Sequence, residues 1–533
     1  MNQAFQHKRS LTLIYAAFIA GLCSIIYELL IATTAAYFLG DSVKYFSVTI
    51  GLYMAAMGLG SYVSQYIEKD LLRWFVIAEL MLGLFGGLSV PLLYFAYALD
   101  EFFIPVYIAL TVIIGFIIGL EIPFLTRLMA EYNQLKFNIA NILSFDYLGA
   151  LIATLLFPFI LLPMLGVYQS SLVFGFVNMS IGLVVLWVFA QDIIGARLLK
   201  YCTFAGALIL LAMIVFSSVF LKFWEQTLYD DRIVHSEQSR YQKIVMTKQR
   251  DDLRLFLNGN LQFSSIDEYR YHEALVHVPL LTLKNQHKKT VERVLLLGAG
   301  DGLAVRELLK YQSIQEIILV DLDPAITRLA KNNNHIRKLN QNSLDNPKVT
   351  IIHQDALSFL KHNTQAFDFI IADLPDPNNT ELARLYSQYF YTRIKNNLTA
   401  KGVFVTQATS PYFATQAFWC IYKTIQGAGL LAHAYHANIP TFGDWGFIIG
   451  HKGENVKSGS IASDSFFKID SLGYTLGTIP ATIPTQYLAS NLVPYMFQFE
   501  KDIVVPLSDL SVNTIDRPAL LDYYLKGWQH YGR

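Results

Sequence analysis

Seven long apolar stretches crowd the first 220 residues, at about 11–33, 45–65, 72–98, 103–126, 146–166, 170–190 and 201–221. Each approaches or exceeds the roughly 20 helical residues that a hydrocarbon core demands. Residues 1–222 therefore read as a polytopic α-helical membrane bundle of about seven spans. The charge follows the same division. Residues 1–220 hold 20 of the chain's 82 Asp, Glu, Lys and Arg side chains, and the remainder fall in residues 221–533, which read as a soluble domain. Net charge is zero and no basic block occurs, so nucleic acid is excluded as a partner. Cys23, Cys202 and Cys420 are too far apart in sequence to define a disulfide framework or a metal cluster, and no metal site is expected.

The first apolar stretch is too long for a signal-peptide core and is followed by further spans, so it reads as a transmembrane helix of a multi-pass protein in the cell inner membrane. Lys8, Arg9, Lys69, Arg73, Arg127, Lys136, Arg197 and Lys200 fall in the N-terminal tail or the even-numbered loops, which puts the N-terminus in the cytoplasm. Seven spans then leave the C-terminal domain outside. Glu28, Glu79, Glu121 and Asp146 lie within or near spans. At membrane depth such groups are costly and suit a cation or a proton, or else they sit neutral and hydrogen-bonded between helices.

From residue 226 the texture changes. Short alternating runs flank Asn258–Gly259, a type I′ hairpin signal, so residues 226–285 are expected to hold a small antiparallel β-sheet followed by the helical "DEYRYHEALVHVPLL" (267–281). Residues 286–453 then alternate strands and helices, with strand-like runs at 293–298, 316–321, 349–355, 367–373 and 402–407. This is the pattern of an α/β doubly wound, Rossmann-like domain of the methyltransferase type, whose ligand crevice lies beyond the carboxyl ends of its strands. Asp301 falls in the first strand-to-helix turn, and Asp321, Asp355 and Asp373 end the next three strands. One such acid is often only an N-cap; four in succession point to a site. The tail 454–533 opens with the flexible "SGSIAS" and has no legible role.

The turn "GAGDGLAVREL" (298–308) is glycine-rich in the manner of nucleotide-binding loops, and Asp321 lies at the spacing of an acid that accepts hydrogen bonds from ribose hydroxyls. A carboxylate at position 301 would repel a pyrophosphate, which disfavours NAD and FAD, and would attract a nucleoside bearing a cationic arm.

Together "GAGDGLAVREL", "YRYHEALVHVPLL", "LNGNLQF", "QDALSFL" and "IIADLPDP" resemble the spermidine synthases, the polyamine aminopropyltransferases, over roughly residues 230–450. The first half is similar to the bundle fused to multi-pass bacterial members. The resemblance implies aminopropyl transfer from decarboxylated S-adenosylmethionine, a co-substrate rather than a resident cofactor, to an amine, putrescine by default, giving spermidine and methylthioadenosine. It implies donor contacts from Gln242, Gln262, Gly298, Gly300, Asp301, Asp321, Asp355 and Ala356, with Asp301 on the aminopropyl ammonium, Asp321 on the ribose and Asp355 at the adenine edge. Asp373 would be the general base, and Tyr271, His272 and Asp376 would hold the amine. The implied partners are a small polyamine, the lipid bilayer and a second copy of the chain. The donor argues for a catalytic domain on the cytoplasmic side, against the loop charges.

Departures from the family pattern cluster in two places. Ala299 and Leu303 replace glycines of the nucleotide turn, and Phe442 in "IPTFGDWGF" stands where many members carry a tyrosine. Two other functions fit parts of the sequence. A membrane S-adenosylmethionine methyltransferase would share the fold, although Leu296 occupies a strand position where such enzymes often carry an acid. A polyamine carrier or sensor, with a soluble domain that binds without turnover, would use the acids of the spans.

Overall fold

The computed structural model describes residues 3–39, 42–99, 102–130, 135–287, 291–452 and 479–530. The "SGSIAS" segment lies outside the described residues. The chain forms two compact units, Met1–Asp230 and Asp231–Arg533.

The first unit is helical: α1 (Gln3–Leu39), α2 (Ser42–Ser64), α3 (Leu71–Ala98), α4 (Phe103–Met129), α5 (Leu135–Leu156), α6 (Leu162–Val188), α7 (Ala196–Val215) and α8 (Ser217–Thr227). Among the described residues six helical runs are long and apolar enough to cross a membrane: α1, α2, α3, α4, α7 and a run, Ile139–Val188, in which a π-helical turn at Phe157–Leu161 joins α5 to α6. That 50-residue run is two helices meeting at a kink, close to the division expected between 146–166 and 170–190. Its backbone leaves helical conformation at Gly166 (φ 69°, ψ 178°). At ~1.5 Å per residue, 50 residues extend about 75 Å, enough for two crossings of a core about 30 Å thick. Close backbone approach fixes α2 against α4, where a Cβ on Gly119 would lie 2.1 Å from the Met57 carbonyl. The short helix α8 belongs to this unit, because Trp224 stacks on Tyr94 and donates its Nε1–H to the Tyr94 carbonyl. The unit boundary therefore falls at Asp230 rather than at 222.

The second unit opens with an antiparallel sheet in the order β1 (Arg232–Gln238), β2 (Lys243–Gln249), β3 (Asp252–Leu257) and β4 (Asn260–Ser264). Asn258 (φ 50°) and Gly259 (φ 80°) both take positive φ between β3 and β4, as a type I′ turn requires. Helix α9 (Glu268–His287) leads into the second sheet. The remaining elements are β5 (Arg293–Gly298), α10 (Leu303–Leu308), β6 (Glu316–Asp321), α11 (Pro324–Asn332), α12 (Asn334–Asn340), β7 (Val349–His353), α13 (Ala356–His362), β8 (Phe367–Asp373), α14 (Thr380–Ala383), α15 (Gln388–Asn397), β9 (Leu398–Gln407), α16 (Thr415–Gly427), β10 (Leu431–Ile439), β11 (Gly443–His451) and α17 (Ala519–His530).

The seven strands lie in the order β10-β11-β9-β8-β5-β6-β7, with β5 to β9 parallel and β11 antiparallel to both of its neighbours. The unbroken apolar run of β5 is the mark of a parallel strand covered on both faces. Val294 and Leu296 enter one core layer, and Leu295 and Leu297 the other. Strand order reverses between β5 and β8, the position at which sheets of this kind bind ligands, in the crevice beyond the strand ends.

Residues 479–530 belong to the same unit. Glu273, 1% exposed, accepts the backbone N–H groups of Gln486, Tyr487 and Leu488. Leu488, Val493 and Met496 join the core layer that contains Val294.

Candidate active site

The site is built around the reversal of strand order. Gly298 and Asp373 are register partners at the ends of β5 and β8, and a Cβ on Gly298 (φ 84°) would lie 2.0 Å from the Asp373 carbonyl. Gly300 is packed as tightly: a Cβ there would lie 2.4 Å from Oδ2 of Asp321. These two glycines let the first turn fold across the strand ends. Ala299 between them holds φ at 60°, the left-handed region that a glycine would occupy without cost.

Within this turn Asp301 accepts the Leu303 N–H at 2.9 Å, and the Asn340 side chain donates to its carbonyl. Asp321 accepts the Asp323 N–H at 2.8 Å. Asp373 accepts the Tyr271 hydroxyl at 2.5 Å. Asp376 is held by three neutral donors: Gln407 Nε2 at 3.0 Å, Thr409 Oγ1 at 3.2 Å and the Tyr524 hydroxyl at 3.0 Å.

Burial raises the Asp373 carboxyl to about 6, with Asp301 adding to the rise and His272 and Tyr271 opposing it. Burial also raises Asp321 to about 6, and it raises Asp301 and Asp376 above the ordinary range. A cation stands directly among these acids, His272. Burial alone would lower His272, but its contact with Glu268 and the charges of Asp301 and Asp373 raise it to about 9. The imidazole Nδ1 lies 2.8 Å from Glu268 Oε2. Glu268 is clamped by both terminal nitrogens of Arg306, at 2.7 and 3.0 Å. Arg306 reaches Glu307, which meets His277 and Lys310.

This network behind His272 is largely buried, and Arg306 is the cation shared by its two carboxylates, so removing Arg306 takes a partner from both Glu268 and Glu307. Arg306→Met is expected to cost about 3–5 kcal/mol of stability. The check is thermal unfolding of the purified chain in detergent, followed by intrinsic fluorescence. A melting temperature within a degree of the wild type would refute it.

The sequence-predicted residues do not all converge. Asp301, Asp321, Asp373, Asp376, Tyr271 and His272 come together at the crevice. Gln242 reaches its edge, donating to Asp323 at 3.0 Å. Asp323 was not anticipated; it is 2% exposed, caps α11 and also accepts from Ser239. Asp355 lies beyond the end of β7, caps α13 through the Ser358 N–H and pairs its other oxygen with Arg384 at 3.0 Å; Ala356 is the first residue of that helix. Gln262 donates to the Asn260 carbonyl inside its own hairpin. Phe442 stands near Tyr271, ring centres 6.3 Å apart, and stacks toward Trp445. Glu268, Arg306, Gln407, Thr409 and Tyr524 escaped sequence reasoning. Only Glu268 had a readable signal, four residues before His272 on one helical face.

A doubly wound sheet with acids gathered at its strand reversal has the architecture of nucleoside-handling enzymes. Residues 268–459 match the spermine/spermidine synthase domain. Over 524 residues the chain is 39% identical to polyamine aminopropyltransferase 2 of Ralstonia nicotianae, covering 97% of this chain and 98% of that one. It is 38% identical to the polyamine aminopropyltransferase of Leptospira interrogans, over 95% of this chain and 96% of the relative. The crystal structure of spermidine synthase from Thermotoga maritima is similar to 52% of this chain and 88% of its own, at 23% identity and a TM-score of 0.42. The chain belongs to the polyamine aminopropyltransferase family of enzymes.

Proposed function

We propose that the chain transfers an aminopropyl group from decarboxylated S-adenosylmethionine to an amine, putrescine by default. The observation that carries this reading is the pairing of Asp301, in the first turn, with Asp373, across the strand reversal. The donor would lie over Gly298 and Gly300 with its ribose on Asp321, its adenine toward Asp355 and Ala356, and Gln242 at the edge. Its ammonium would meet Asp301. Gln262 would line the donor site from β4.

The chemistry asks for a proton acceptor and for alignment. The attacking amine is protonated in water, and the Asp373 carboxylate takes its proton. The freed lone pair attacks the methylene carbon next to the sulfonium. The C–N bond forms as the C–S bond breaks, and the bonding electrons return to sulfur as methylthioadenosine leaves. The leaving group is a neutral thioether, so no acid is required for it. Most of the acceleration then comes from positioning and charge placement. Tyr271 would orient Asp373, and His272 would balance the surrounding acids. Asp376 would take the distal ammonium of the acceptor.

Purified full-length chain incubated with the donor and a panel of amines is expected to release methylthioadenosine only when an amine is present. Release without amine, or none with any amine by protein that binds the donor, would end this reading.

Tyr524 touches Asp376 alone among the acids of the site. Its hydroxyl is worth about 1 kcal/mol if it contributes a typical net hydrogen bond. Tyr524→Phe is expected to raise KM for the amine about fivefold while moving KM for the donor less than twofold. Equal changes in both constants would refute the assignment.

The first unit would anchor the enzyme in the cell inner membrane, supported by six apolar runs of crossing length. The catalytic unit would face the cytoplasm, where the donor is expected. A reporter fused after Arg533 tests this: activity confined to the periplasm would reverse the orientation.

A further inference from the structure

Three helices of the first unit bring acceptor oxygens together with too few donors. Glu79 of α3 is 0% exposed, Glu121 of α4 is 2% exposed and Asn178 of α6 is 0% exposed. The Asn178 amide nitrogen donates to Glu79 Oε2 at 2.8 Å and to the Glu79 carbonyl at 3.0 Å. The two carboxyl groups lie within hydrogen-bonding reach of one another. Yet Glu79 Oε1, Glu121 Oε1 and the Asn178 side-chain oxygen are buried without a donor.

The neighbours offer no remedy. Cys23 and Tyr27 of α1 face both glutamates, Tyr53 of α2 faces Glu121, and Asp146 of α5 is the next acid beyond Glu121. The two tyrosine hydroxyls are committed elsewhere, Tyr27 to the Phe174 carbonyl at 3.0 Å and Tyr53 to the Ser24 carbonyl at 2.8 Å. The Asp146 carboxylate is seated against α1 at Gly21, where a Cβ would lie 2.6 Å from its Oδ1. Among the described residues, Lys, Arg and His are absent from the groups that face the pair.

Two ionised carboxylates cannot rest against each other in such a place. A carboxyl that carries a proton supplies the missing donor, as in carboxyl dyads that share one. A metal ion fits poorly, since hard cations gather about six or more oxygens and only three here lack donors. We infer that Glu79 and Glu121, steadied by Asn178, form a binding site for one exchangeable proton in the interior of the helical unit. This function is independent of aminopropyl transfer. It makes the helical unit an ion-binding body as well as an anchor.

The test uses the full chain in lipid nanodiscs and infrared spectroscopy of the carboxyl C=O stretch. A protonated-carboxyl band is expected at neutral pH, displaced in D2O and lost at alkaline pH. It should vanish or shift in Glu79→Gln and in Glu121→Gln, with aminopropyl transfer retained as the check on folding. Should either variant fail to fold, the wild-type band and its response to pH and D2O decide the matter. The inference is overturned by absence of the band in wild type, by its survival in both variants, or by a band that does not titrate. It is also overturned if the wild type at fixed pH is stabilised by Na⁺.

Discussion

Asp373→Asn is expected to slow aminopropyl transfer by about 100- to 10,000-fold, the usual contribution of a positioned general base. Asparagine keeps the shape of the side chain and can still accept the Tyr271 hydroxyl, which in the wild type lies 2.5 Å from Oδ1. It cannot take a proton from the amine. Donor affinity should therefore change far less than turnover, and single-turnover measurements with pre-bound donor would separate the two. A loss of less than tenfold would remove Asp373 from the role of base.

The same residue fixes the sign of the pH dependence. Asp373 must be ionised to act, and its carboxyl sits at about 6. The kcat/KM for the amine should fall about tenfold per pH unit below 6 and level off above it. His272 is the group whose charge fails at the other end, as pH rises through about 9. Its contribution to folding has the sign of a raised histidine: complete below about 6.5, lost as pH passes 9. Asp321 and Asp373 act in the same sense at lower pH, because their carboxyls too are raised in the folded protein. Ionising them between about 3.8 and 6 costs stability, which a cationic donor and amine would restore on binding.

The second large effect is on the choice of donor. Asp301→Asn is expected to weaken binding of decarboxylated S-adenosylmethionine by about 30- to 5,000-fold, in line with about 2–5 kcal/mol for truncating one partner of a desolvated charge pair. Binding of S-adenosylmethionine itself should stay level or tighten, because the variant no longer repels its carboxylate. Asparagine can still accept the Leu303 N–H, so the turn should survive. Calorimetric titration of wild type and variant with both nucleosides gives the result directly. Equal loss for both would mean that Asp301 holds only the loop.

How much of this was readable in the chain depends on how local each cause is. Asp301, Asp321 and Asp373 were legible because parallel strands deliver their carboxyl ends to one edge of a sheet, so position along a strand predicts position in space. Asp355 shows the limit of that inference. Its strand ends earlier, at His353, and its carboxylate is spent on a helix cap and on Arg384. Tyr524 was illegible for a different reason. It lies 148 residues beyond Asp376, on a helix whose sequence says nothing about where it docks. Apolarity did divide 146–166 from 170–190, close to the kink at Gly166, but it said nothing of the geometry of that division. Hydropathy reports the solvent of a segment; the backbone break at Gly166 is a matter of dihedral angles.

The clasp on Glu273 bears on when the enzyme comes into being. Its carboxylate is satisfied by amides from residues 486–488, and Asp376 receives its phenol only from residue 524. A nascent chain paused on the ribosome at residue 478 holds the whole nucleoside crevice, yet its Glu273 is a stranded charge and its acceptor end is unfinished. Residues 479–530 are thus part of the frame of the catalytic unit, and losing them would undo the acceptor end of the site before the strand-end acids.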